Sequence, residues 1–145
     1  MRISAKGRYT LAATIEIARH WGSDINISSL KISTALGISK IFLDQCLGAL
    51  KSAGILVAAK GQSGGYRLAR GPKEITTWDI LSVIETSLQE KRDGTCSDPS
   101  IENAIGIAFS KLDKAVENTL SEITLEELVS LASTKDAEDS FMLYF

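Results

Sequence analysis

With one histidine, His20, in 145 residues, this chain has almost no material for imidazole chemistry. Metal-assisted hydrolysis and serine or cysteine triads need a positioned imidazole, so those enzyme classes are set aside. Cys46 and Cys96 are the only cysteines, too few for a disulfide framework or for a structural zinc site without several histidines. No run of eighteen apolar residues is present, and the opening MRISAKGRYT carries charge where a secretion signal needs an apolar stretch. The expectation is a cytoplasmic protein that makes no contact with a membrane. Disorder is not expected either, because 44% hydrophobic residues suffice to bury a core.

The formal net charge of −2 conceals a strong asymmetry. Residues 1–72 hold ten Lys or Arg against three acids, +7, whereas residues 73–145 hold six against fifteen, −9. A basic module joined to an acidic one points to a polyanionic partner for the first half.

Periodicity divides the chain into short helices. Residues 8–21 read as a helix with Leu11, Ile15, Ala18 and Trp21, or Leu11, Thr14 and Ile17, on one face, and Gly22 at the stop. Ser28 or Ser29 caps a second helix that turns Leu30, Ile32 and Ala35 or Leu36 inward and ends at Gly37. Ser39 caps a third, with Leu43, Cys46 or Leu47, and Leu50 spaced to bury, and Gly54 as terminator. Two helices joined by a turn of about three residues containing Gly form a helix-turn-helix. Residues 55–59 and 66–69 then read as strands around a turn rich in Gly, a hairpin placed where a wing belongs. That turn lacks the GK[ST] ending of a phosphate-binding loop.

Beyond the linker RGPKEIT, a helix starts at Thr76 or Thr77, and residues 88–100 form a polar loop. A long helix from Ile101 to about Ser121 carries an apolar stripe of Ile101, Ile105, Ala108 or Phe109, Leu112, Val116, Leu120 and Ile123. Thr124 caps a last helix, and the chain ends on an acidic stretch followed by Phe141, Met142, Leu143, Tyr144 and Phe145. The fold expected is mainly α with a small β-hairpin wing: a winged helix-turn-helix DNA-binding domain over 1–72 and a helical dimerisation and effector region over 73–145.

In a helix-turn-helix the second helix places its first residues near base edges in the major groove. Here these are Ser39, Lys40 and Ile41, then Asp44 and Gln45. Gln45 can pair with adenine N6 and N7, and Asp44 can accept from cytosine N4. Lys60 and Gln62 at the wing tip reach toward a minor groove or its phosphates, and Lys6, Arg8, Tyr9 and Lys51 bracket the third helix as backbone contacts. Ser28 is a further candidate contact. Each lysine alone reads as a solvated charge; as a set around one helix they read as phosphate ligands.

The segments MRISAKGRYTL, GISKIFLDQCLGALKSAGIL and KGQSGGYRLARGPKEIT resemble the Rrf2 family of winged-helix repressors. Its most specific marks here are KGRY, the helix pattern S-x-x-[FY]-L-[DE]-Q and the wing GGY, and the likeness spans essentially the whole chain. It implies a homodimer whose long helix crosses to the partner. It also implies double-stranded DNA contacts at Lys6, Arg8, Ser39, Phe42, Asp44, Gln45 and Lys60, on a palindromic operator with half-sites about one helical turn apart, or a multiple of it. The family's wing usually has Arg at the position of Lys60, which keeps the charge and loses the bidentate fork. Many members bind an iron–sulfur cluster through three cysteines in the loop before the long helix; this loop has Cys96 alone, so neither cluster nor other metal is expected. The ending is most similar to cluster-free members of the CymR type, which implies a signal from redox state or sulfur metabolism and an enzyme partner for the C-terminal tail. The tail could equally fold on its own dimer. Cys46 reads as a small buried hydrophobe, and Cys96 as either an inert surface thiol or a redox sensor. Against the dimeric DNA-binding repressor stands a winged helix that regulates an enzyme partner without touching DNA. No acid–base pair or cofactor motif speaks for an enzyme.

Overall fold

The computed structural model describes residues 2–133. The terminal cluster Phe141–Phe145, the expected partner-docking tail, lies outside them. Six helices and one hairpin follow in order: α1 (Ala5–Ala18), α2 (Ser29–Leu36), α3 (Lys40–Ser52), β1 (Leu56–Ala59), β2 (Gly65–Leu68), α4 (Thr77–Ile84), α5 (Pro99–Glu122) and α6 (Leu125–Ser133). No helix among the described residues is long and apolar enough to cross a membrane.

The first helix starts three residues earlier than periodicity alone placed it and stops three earlier. Ser4 caps it, its Oγ accepting from the Gly7 amide at 3.0 Å. At the other end the His20 and Trp21 amides donate to Ile17 and Ala18, a tightening that ends the 3.6-residue period. Trp21 therefore leaves the expected buried stripe and is 51% exposed. Leu30 is likewise outside, at 60% exposed, because it and the buried Ile32 are two residues apart and cannot share a face of an eight-residue helix. The long helix begins at Pro99, capped by Asp98, whose carboxylate takes the Ser100 amide at 2.9 Å. Thr76 and Asp79 form a reciprocal capping box on α4.

One core takes side chains from both sides of residue 72. Ala13 and Ile17 of α1, Ile32 of α2, Leu43, Leu47 and Leu50 of α3, and Leu56 and Leu68 of the hairpin are buried together with Ile75, Ile80 and Leu125. A short backbone bridge holds the last of these in place: the Leu125 amide donates to Ile75 at 2.9 Å and the Thr77 amide to Ile123 at 2.8 Å. Cys46 is buried in α3, as its spacing indicated.

Glu85, directly after α4, is a buried acid with a clear role. Its Oε1 accepts from the Ser4 amide at 2.9 Å and from the Ser4 hydroxyl, so the residue that caps α1 is itself anchored 81 positions away. A Cβ on Gly7 would overlap that carboxylate, which explains the Gly of KGRY as a packing requirement. Glu85→Ala leaves the Ser4 donors without their acceptor and is expected to cost about 2 kcal/mol in urea unfolding. An unchanged midpoint and slope would mean that the clamp contributes nothing.

Candidate nucleic-acid interface

The turn between α2 and α3 is built by one glycine and one hydroxyl. Gly37 adopts φ 66°, where a side chain is disfavoured, and its amide returns to the Ser33 carbonyl at 2.9 Å. The Ser33 hydroxyl donates to the Ile38 carbonyl at 2.5 Å. This sets α3 against α2 and gives α3 one buried row, Leu43, Cys46, Leu47 and Leu50. Ser39 occupies the cap position of α3, with its side chain not bonded to the first-turn amides.

The wing docks on the start of α2 rather than standing free. Leu56 pairs with Leu68 and Ala59 with Gly65 in an antiparallel register, and Ile27 adds a third edge through two 2.8 Å bonds with Tyr66. Asn26 Nδ2 steadies the tip by donating to the Ser63 carbonyl at 3.2 Å. The second glycine of GGY is required by this approach, and the first by the tightness of the hairpin turn itself. A Cβ on Gly64 would lie 2.5 Å from the Ala59 oxygen, and one on Gly65 would overlap the Ile27 carbonyl and lie 2.6 Å from the Ser28 nitrogen.

The sequence-derived candidates fall into three groups on this frame. Tyr9 meets Phe42 edge-on, ring centroids 5.8 Å apart, which ties the start of α1 to the first turn of α3; both line one cleft with Ser39. Lys6 and Arg8 are exposed beside Tyr9. Ser28 and Gln62 line a second cleft, between α2 and the wing, together with Lys31, an exposed base that sequence reasoning passed over because it carries no motif. Lys40 and Asp44 form the third group, an ion pair of 2.9 Å on the flank of α3. The Lys40 ammonium holds the Asp44 carboxyl below its ordinary range, with help from the Ser29 hydroxyl, so Asp44 is engaged within the protein and does not stand alone. Burial, and then the Asp44 charge, raises the Tyr66 phenol. Ser29 and Tyr66 were not foreseen, since nothing local in the sequence shows that α2, α3 and β2 meet there. Gln45 and Lys60 are exposed, and Lys51 is exposed at the far end of α3.

The second half presents a different surface. Among its 24 residues α5 has none buried, and Ile101, Phe109 and Leu112 are about half exposed, while Ile105, Val116 and Leu120 are more covered. The loop before α5 is tied to it by Arg92, which makes two bonds to Asp113 at 2.7 and 2.8 Å and stacks 4.7 Å from the Phe109 ring centre. Glu102 takes the amides of Thr95 and Cys96. The exposed Cys96 sulfur lies 3.7 Å from the Asp98 carbonyl. An iron–sulfur cluster needs several thiolates, and this loop supplies one; the Glu102 carboxylate is occupied by backbone amides, and no group of three His, Cys, Asp or Glu side chains is gathered among the described residues. The donor set does not fit a cluster.

Comparison with known proteins places this frame. The family described as "Rrf2: Iron-dependent Transcriptional regulator" matches residues 3–131. The chain is 32% identical over 145 residues to the HTH-type transcriptional regulator CymR of Bacillus subtilis (strain 168), covering 99% of each. The solved structure titled "The Structure of CymR (YrzC) the Global Cysteine Regulator of B. subtilis" superposes with a TM-score of 0.74 at 31% identity, over 90% of this chain and 97% of that one. An IscR from T. potens superposes with a TM-score of 0.72 at 31% identity, over 92% and 89%. These relatives are regulators and not enzymes, and the mainly helical fold with its two-stranded wing is theirs. The chain belongs to the Rrf2 family of DNA-binding transcriptional regulators.

Proposed function

We propose that the protein acts as a homodimeric repressor, with residues 1–72 reading a palindromic operator and residues 73–145 joining the protomers and receiving the signal. The carrying observation is the arrangement around α3: its Ile41, Gln45 and Ser52 are exposed, and the exposed cations Lys6, Arg8, Lys51 and Lys60 stand on α3 or on the segments that flank it. Phosphate contacts from these cations set register, and α3 supplies base contacts. Gln45→Ala is expected to cost about 1–3 kcal/mol on the specific site and little on random DNA. Lys60→Ala is expected to weaken both alike and to lower the salt slope by about one. Equal behaviour of the two variants in a salt titration on both DNAs would refute that division.

The signal belongs to sulfur or redox chemistry on this reading, supported by the relative described as a global cysteine regulator and by the exposed thiol of Cys96. No cluster takes part in it. Protein isolated without oxygen is expected to hold far less than one iron per chain and to bind its operator as isolated; stoichiometric iron with acid-labile sulfide would overturn this.

A further inference from the structure

The helix proposed above to enter the major groove carries an outward row whose composition the fold does not explain. The buried row of α3 is Leu43, Cys46, Leu47 and Leu50. At about 100° per residue, the line opposite that row passes through Ile41, Gln45, Gly48 and Ser52, with Lys40 and Asp44 to one side. Ile41 is 75% exposed, more than any other large apolar side chain among the described residues. An isoleucine so placed stabilises nothing inside the protein, and its branched Cβ is a modest handicap in a helix. Gly48 is equally unexplained. It sits mid-helix, where glycine is unfavourable, yet a Cβ added there would meet nothing within 4 Å. This contrasts with Gly7, Gly64 and Gly65, each of which makes room for a neighbour within the chain.

Both anomalies resolve if the neighbour is DNA. The C5-methyl of thymine is the apolar group on a major-groove edge, and an aliphatic side chain is its natural contact. Gln45, one turn further along the row, can make two bonds to adenine, accepting from N6 and donating to N7. Lys40 and Asp44 satisfy one another at 2.9 Å beside the row, so its centre is left to methyl groups, one amide and bare backbone. We propose that Ile41 is a specificity-determining residue that reads a thymine methyl within about two base pairs of the adenine read by Gln45, and that Gly48 is bare so that the α3 backbone can approach the groove wall. The inference rests on the DNA-reading placement of α3.

The test uses the full-length chain and the site it enriches from fragments of its own genome. Each thymine of that site is replaced in turn by deoxyuridine, which removes only the methyl. One position per half-site is expected to weaken the wild type about fourfold. The same replacement is expected to leave Ile41→Ala unaffected. Gly48→Ala is expected to melt about 4 °C higher and to bind the site about tenfold more weakly. A flat deoxyuridine scan, or a position that penalises wild type and Ile41→Ala equally, overturns the role of Ile41. Unchanged or tighter binding by Gly48→Ala overturns the close approach. In either case the enriched site leaves the regulator reading standing. Failure of the wild type to enrich any DNA overturns the placement of α3, and this inference with it.

Discussion

Gly65→Ala is expected to remove about 3 kcal/mol or more of stability and to abolish tight operator binding. Two penalties coincide at this position. Its φ is 142°, a region closed to residues with a side chain, and its Cβ would overlap the Ile27 carbonyl. Relief requires the hairpin to move off the start of α2, which breaks both 2.8 Å bonds between Ile27 and Tyr66. Tyr66 would then lose its cover, and Lys60 and Gln62 would no longer be held at a fixed distance from α3. Gly61 provides the internal comparison: its φ is 98°, but a Cβ there meets nothing within 4 Å. Gly61→Ala should show backbone strain alone, about 1 kcal/mol. Urea unfolding of the two variants checks the difference, and equal losses would show that the wing is not docked as described.

The second large effect is expected on α5. Paired substitution of Ile101 and Leu112 by Glu should yield a folded monomer whose affinity for a two-half-site operator falls by about 10²–10⁴. Each side chain is about half exposed in the single chain, so the charges disturb little of the core. A 24-residue helix with no buried side chain and an apolar stripe suits the proposed seam between protomers. Once two copies associate, the second half-site is bound at high effective concentration, and this is what the charges remove. Sedimentation gives the mass and DNA titration the affinity. A persisting dimer would place the seam elsewhere, and a monomer with undiminished affinity would show that the half-sites are read independently.

The legible part of this protein is local. A serine cap at 28 or 29, of which the structure uses Ser28, Gly37 and Gly54 as stops, the short strands around a glycine turn and the long stripe beginning at Ile101 are all set by interactions within a few residues, and the helices and wing lie within a few residues of where those signals put them. The exceptions have local causes as well: α1 tightens at its end and releases Trp21, and Leu30 and Ile32, two residues apart, point to different faces of α2. The candidate interface was legible as a set of residue types, with Lys31, Ser29 and Tyr66 as its omissions.

The sequence by itself determined the basic and acidic halves, the order of helices and hairpin, the buried row of α3 and the single cysteine of the loop before α5, because charge, period and residue count need no partner. Only the tertiary structure decided that Glu85 reaches back to Ser4, that Asp44 is bound by Lys40 and Ser29, and that three glycines are spacers while Gly48 is not. The reason is distance along the chain. A helix period reports which side chains share a face, but what that face meets is fixed by segments tens of residues away, through contacts that leave no mark on the local pattern.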